Sequence, residues 1–238
     1  MAELRWLAPD EPPDAFPSPH LALRHPDGLL AVGGDLSPER LLAAYRRGIF
    51  PWFNEGQPIL WWSPDPRAVL LPDELHVSRS LRRTLKRAGF TVSMDQAFDA
   101  VIAGCAESRA STGTWITPEM RQAYESLFEL GDAHSVEVWQ GETLAGGLYG
   151  VAIGRMFAGE SMFSAVTDAS KVALVSLVHR CRALGVELID CQLPTPHLES
   201  LGCRRLPRAD FLQRVKRLQA MQPLGPWVTG PTPSSALL

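Results

Sequence analysis

Apolar and polar positions along this chain change period several times, and those changes predict its elements. Gly28 to Gly34 is a short apolar segment that ends in Gly33-Gly34-Asp35. Ser37-Pro38 then opens a helix, with Ser as cap and Pro at the first helical position. Leu41, Leu42 and Tyr45 form its apolar side, and Gly48 is the expected stop. The block from Phe50 to Pro66 is aromatic and proline-broken, which argues against a regular element there. Residues 1–20 read as an irregular lead-in.

Beyond residue 66 the pattern becomes regular. Arg67–Leu71 and Phe90–Met94 read as strands, with a short helix from Ser78 or Ser80 to about Arg87 between them. Asp95 is expected to cap a helix carrying Phe98, Val101, Ile102 and Cys105 at helical spacing. Thr117-Pro118 starts another, with Met120, Tyr124 and Leu127 inward and Gly131 as its end. Ser135–Trp139, Glu142–Ile153 and Arg155–Phe163 form three strands joined by tight turns at Gln140-Gly141 and Gly154. Asp168 is expected to cap a long helix ending at Gly185, followed by a buried strand over Val186–Cys191. A short helix from Thr195-Pro196 and a last one ending near Met221 complete the elements. The tail from Pro223, rich in Pro, Ser and Gly, is expected to fray.

This order predicts an α+β chain. Residues 1–66 form a small N-terminal domain that contributes aromatic residues. Residues 67–238 form a GNAT-like acyltransferase domain with a mixed, splayed sheet and a flexible tail over about 223–238. In that fold, a strand before a helical crossover diverges from the strand after it, and the gap holds the acyl donor. Here the flanking strand ends are Gly159-Glu160-Ser161-Met162-Phe163 and Ile189-Asp190-Cys191-Gln192.

Composition narrows the class. The chain has 238 residues, 45% of them hydrophobic and 21% charged, enough apolar material for a full core. The net charge of −3 excludes a globally basic nucleic-acid coat but not a local patch. Cys105, Cys181, Cys191 and Cys203 make no C-x-x-C pair, so reduced thiols and no metal are expected. Met1 to Pro13 has no apolar run, and no segment approaches a membrane span, so a cytoplasmic chain with no membrane partner is expected.

Three constellations carry chemistry. Asp190 ends an apolar strand, and alternation puts it on one face with Gln192. It could be a general base in a cleft or merely cap the following turn. Glu160 lies in an apolar strand and is solvent-facing by default, unless it is paired or functional. Arg79, Arg82, Arg83, Lys86 and Arg87 share one side of a helix without a compensating acid, while Leu81 and Leu85 take the other. That stripe is either a phosphate-binding surface or a solvated face. The loop Ser164–Ser170 has no glycine to cradle a pyrophosphate, which points away from acetyl-CoA as the acyl carrier. A CoA-dependent N-acetyltransferase and a non-catalytic RNA- or degron-binding module stay open as alternatives at this point.

Six runs together resemble one family. They are Gly28–Leu36, Arg47–Trp52, Trp61–Arg67, Gly113–Thr117, Gly159–Phe163 and Ile189–Gln192. In this order they are similar to the leucyl/phenylalanyl-tRNA–protein transferase family, from about Phe16 to Phe211. The resemblance implies a cytoplasmic enzyme of the N-degron pathway. It would move Leu, Phe and, less well, Met from aminoacyl-tRNA to proteins with N-terminal Arg or Lys, with no cofactor. It implies a catalytic pair at Asp190 and Gln192, with Glu160 beside it. It implies an aminoacyl pocket around Trp52, Trp115, Phe157, Met162, Phe163, Leu177, Cys181 and Ile189. Leu177 and Cys181 stand where better-known members carry aromatics, a departure that bears on pocket size. The cations Arg79, Arg83, Lys86 and Arg87 match a cluster implicated in tRNA binding. The expected chemistry has Asp190 polarise Gln192, whose carbonyl oxygen helps deprotonate the attacking amine. The acidic pair would also favour a cationic acceptor. A monomer is expected.

Overall fold

The computed structural model describes residues 4–108 and 113–238. Two sheets make up the frame. The first contains β1 (Arg5–Leu7), β2 (Leu29–Gly33), β3 (Phe50–Pro51) and β4 (Leu60–Trp62), in the order β1-β2-β4-β3. Both the supposedly irregular lead-in and the proline-rich aromatic block therefore supply strands. Pro51 is tolerated because β3 is a two-residue edge strand, where a missing N–H breaks no central ladder. Helix α1 (Pro38–Tyr45) starts as the sequence predicts, with Ser37 Oγ accepting the Arg40 N–H.

The second sheet has eight strands. They are β5 (Arg67–Leu70), β6 (Phe90–Met94), β7 (Ala133–Gln140), β8 (Thr143–Ile153), β9 (Met156–Ser164), β10 (Leu188–Gln192), β11 (Arg204–Leu206) and β12 (Thr229–Pro233). Their order is β11-β5-β10-β9-β8-β7-β6-β12. Strands β6 to β9 are antiparallel, while β10 runs parallel to β9. The crossover between them is α5 (Ala169–Leu184). This is the α+β arrangement with a mixed sheet and a helical crossover that the element order predicts.

Five further helices pack on this frame: α2 (Arg79–Arg87), α3 (Phe98–Glu107), α4 (Pro118–Glu129), α6 (Pro196–Ser200) and α7 (Arg208–Leu218). Helix α5 covers one face of the large sheet and α3 with α4 the other. The core on the α3 side continues into the first sheet through Leu41, Tyr45, Phe50 and Trp61, so both sheets share one apolar interior.

Three local expectations are corrected. Asp95 does not cap α3: its backbone is left-handed, and its carboxylate takes the Ser135 N–H and His134 Nδ1 instead. Asp168 precedes α5 but makes no side-chain cap; its oxygens bind Thr84 and Lys171. The tail from Pro223 is docked. Residues of β12 pair with β6, Trp227 stacks on His134 at 4.8 Å, and Ser234 Oγ donates to Leu85 O. One buried aromatic and an unpaired sheet edge outweigh a turn-rich composition.

Candidate active site

The parallel pairing of β9 with β10 runs through Leu188↔Met156, Ile189↔Phe157 and Asp190↔Ala158. Past that point the strands diverge, and a cavity of about 310 Å³ opens beside the gap. Its apolar wall comes from Leu148, Met162, Leu174, Leu177 and Ile189, and aromatic residues Phe50, Trp52 and Trp115 close another side. Trp52 is exposed at the mouth, where the Trp62 indole N–H donates to its carbonyl at 2.6 Å.

A β-bulge decides what β9 presents. Tyr149 pairs with Ser161 and Gly150 with Gly159, so Glu160 is the extra residue. The bulge changes the phase of the strand. Ala158 faces the α3 side, but beyond the bulge Met162 faces the α5 side and Phe163 the α3 side. Glu160 itself lines the cavity with its carboxyl group buried. The default reading of Glu160 as solvent-facing does not hold, because helices cover both faces of this strand.

Glu160 is held from two directions. Tyr124 OH donates to Oε2 at 2.7 Å, and Tyr45 OH lies 2.6 Å from Tyr124 OH. Tyr45, Tyr124 and Glu160 thus form one hydrogen-bonded cluster. On the other side Gln192 Nε2 donates to Glu160 Oε1 at 2.7 Å. Burial pushes the Glu160 carboxyl up to about 7; the Asp190 charge adds to this, and the hydrogen bonds from the tyrosines and Gln192 oppose it.

Asp190 stands elsewhere in the arrangement. Its Oδ1 accepts Arg67 Nε at 2.8 Å and its Oδ2 accepts Arg67 Nη2 at 2.7 Å, with both residues almost fully buried. Oδ1 also accepts the Gln192 backbone N–H at 2.9 Å. The ladder shifts register between Asp190 and Gln192, and Gln192 adopts a φ of 61°. The two side chains therefore do not share a face by simple alternation, and no Asp190 oxygen touches the Gln192 carboxamide. The expected polarisation of Gln192 by Asp190 is corrected: the carboxylate on the amide is Glu160.

The expected pocket residues separate into two groups. Trp52, Trp115, Met162, Leu177 and Ile189 line the cavity. Phe157, Phe163 and Cys181 lie outside its lining. Phe157 faces the α5 core against Trp227, because it precedes the bulge. Phe163 is turned onto Gly104 of α3, where an added Cβ would stand 2.6 Å from the ring. Cys181 lies one turn of α5 past Leu177, fully buried, its thiol pushed up by burial.

Residues that sequence reasoning left unassigned also matter. Tyr45 and Tyr124 were legible only as apolar helix positions, yet an inward tyrosine needs a partner for its hydroxyl. Arg67 reads as a strand start, yet a guanidinium in an apolar strand requires an acid. His197 of α6 lines the mouth beside Lys171 and Asp168. Asp168 in turn bonds Thr84 of α2, so the basic helix adjoins the cavity entrance. Arg79, Arg82, Arg83, Lys86 and Arg87 are all exposed, and among the described residues none pairs with a carboxylate. Among the described residues, no disulfide joins any of the four cysteines. Among the described residues, no three His, Cys, Asp or Glu side chains are grouped to hold a metal ion, and no helix is long and apolar enough to cross a membrane.

Residues 69–216 match the family model described as leucyl/phenylalanyl-tRNA protein transferase, and residues 34–65 match the model of its N-terminal domain. A leucyl/phenylalanyl-tRNA–protein transferase of Stutzerimonas stutzeri is 61% identical over 213 residues, covering 89% of this chain and 93% of that one. The like-named protein of Chromohalobacter salexigens is 62% identical over 199 residues, 83% of this chain and 78% of its own. Among solved structures, a GCN5-related N-acetyltransferase from Kribbella flavida aligns with a TM-score of 0.37 at 14% identity, over 68% of this chain and 58% of its own. This chain belongs to the leucyl/phenylalanyl-tRNA–protein transferase family of aminoacyltransferases.

Proposed function

We propose that the protein transfers Leu, Phe and, less well, Met from aminoacyl-tRNA to the N-terminus of proteins that begin with Arg or Lys, marking them for degradation in the cytoplasm by the N-degron pathway. The observation that carries this reading is the pairing of an apolar cavity with the Glu160–Gln192 contact at its edge. The cavity takes the donor's side chain. The Glu160–Gln192 contact receives the acceptor's amine.

The donor is an ester and the product an amide, so the transfer runs downhill without ATP. The amine nitrogen attacks the ester carbonyl carbon; a C–N bond forms and the C–O bond to the terminal ribose breaks. The α-amine ordinarily titrates near 8 and must shed a proton. Glu160, at about 7, is suited to take it in its ionised form. Gln192 Nε2 is engaged by Glu160, which leaves Oε1 to accept from the attacking N–H. The ribose oxygen leaves with a proton as the hydroxyl. Asp190 is sealed against Arg67, so preference for a cationic acceptor rests on Glu160 rather than on both acids.

Wall residues Met162, Leu148, Leu174 and Leu177 select by shape. One methylene discriminates by only about 1–3 kcal/mol, which suits mixed use of Leu, Phe and Met. The basic face of α2 supports the RNA side of the reading: five unpaired cations adjoin the mouth through Thr84 and Asp168. The test mixes labelled Leu-tRNA, an Arg-initiated peptide and the protein, with an RNase-treated control. Label in the peptide that disappears with RNase supports the reading. Binding without transfer, or transfer from acetyl-CoA instead, refutes it.

A further inference from the structure

We propose that Arg67 is a positioning residue for the transfer, acting through Asp190 on the backbone and side chain of Gln192. This deepens the reading above and rests on it. Arg67 is the first residue of β5, next to β10 in the sheet, and is fully buried. Its guanidinium lies over the Phe50 ring and over the Phe211 ring, 4.6 Å from each centroid. Phe50 belongs to the first sheet and lines the cavity; Phe211 belongs to α7. Two flat rings fix the plane of the fork, and that plane fixes Asp190 by two hydrogen bonds.

Asp190 has one further polar duty, to accept the N–H of Gln192. That bond spans two residues, across the bulge, and holds Gln192 at a φ of 61°. Non-glycine residues rarely keep this conformation unless their surroundings impose it. The left-handed turn directs the Gln192 carboxamide back across the gap to Glu160. The geometry is thus relayed from Phe50 and Phe211 to Arg67, then Asp190, then Gln192. Asp190 acts as an anchor, not as a proton carrier, since both its oxygens are engaged away from the cavity.

The test compares Arg67→Lys, Asp190→Asn, the neutral pair Arg67→Met/Asp190→Asn, and Gln192→Ala, with folding followed by thermal denaturation. Arg67→Lys keeps the charge but loses the fork, and the neutral pair leaves no buried charge uncompensated. A displaced reacting group can lower turnover about 100-fold. On that scale, Arg67→Lys and the neutral pair should both lose kcat while the KM for aminoacyl-tRNA holds. The neutral pair should be no slower than Asp190→Asn alone, because the two act as one unit. In Arg67→Lys, which keeps both charges, the midpoint of the acidic limb in the pH profile should stay in place while the plateau drops. Folded variants with wild-type kcat, or a loss confined to KM, would overturn the proposal. Gln192→Ala separates the two readings. If it too turns over at the wild-type rate, the site assignment fails; if it is slow while the Arg67 variants are fast, only the positioning role fails.

Discussion

Gln192 gives its side-chain amide to Glu160 at 2.7 Å, while Asp190, two residues before it, receives only its backbone N–H at 2.9 Å. The two acids of the site therefore have separate duties. One faces the cavity and titrates near neutrality; the other is locked in an ion pair behind the strand.

The first consequence concerns pH. With Glu160 at about 7 and the acceptor amine near 8, kcat/KM at low pH should fall with two ionisations. Glu160→Gln should leave one, near 8, and lower the plateau about 100-fold on the scale of general-base loss. The same carboxyl binds its proton more tightly folded (about 7) than its ordinary 4.5. Its contribution to stability is complete below pH 4.5 and declines as pH climbs to 7, by on the order of 3 kcal/mol. Denaturant titrations of Glu160→Gln across that window should show the decline removed. A wild-type pH profile in the variant would refute the assignment.

Specificity should respond to the cavity wall and not to the residues behind it. Leu177→Phe narrows the slot and should reduce Phe transfer relative to Leu by about tenfold. Phe157→Ala, outside the lining, should cost about 3–5 kcal/mol of stability and leave the ratio unchanged. Competition between differently labelled donors measures the first, and urea unfolding the second.

The basic helix should act through charge. Lys86→Ala should weaken tRNA binding for all sequences alike and flatten the slope of log K against log salt by about 1. Filter-binding across a salt series reads this directly; an unchanged slope returns the stripe to a solvated surface.

The docked tail should be stabilising. Trp227 is buried against His134 and Phe157, so Trp227→Ala should cost about 3–5 kcal/mol. Amide exchange at Phe90–Met94 should quicken in the same variant, because β12 would no longer cover that edge. An unmoved denaturation midpoint would show that the tail adds nothing.

Much of the molecule was legible from local pattern. Ser37 and Thr117 cap their helices as read, because a cap is a contact across three residues. Gly141 and Gly154 turn with positive φ where the strands change direction. The large sheet's crossover and the gap between its flanking strand ends also follow from element order, and the apolar lining by Met162 and Ile189 follows from the family resemblance. Pairings between distant segments were not legible. Nothing local tells Arg67 that its acid lies 123 positions away, or Tyr124 that its hydroxyl meets a carboxyl 36 positions on.

Sequence alone marked the candidate acids and amide, the strand ends that carry them, and the basic side of α2, since composition and period act over a few residues. Tertiary structure decided their partners. A one-residue bulge at Glu160 reverses every later side chain of β9, and a left-handed Gln192 redirects an amide. Both depend on sheet register and buried ion pairing, which are settled by long-range packing rather than by neighbours in the chain.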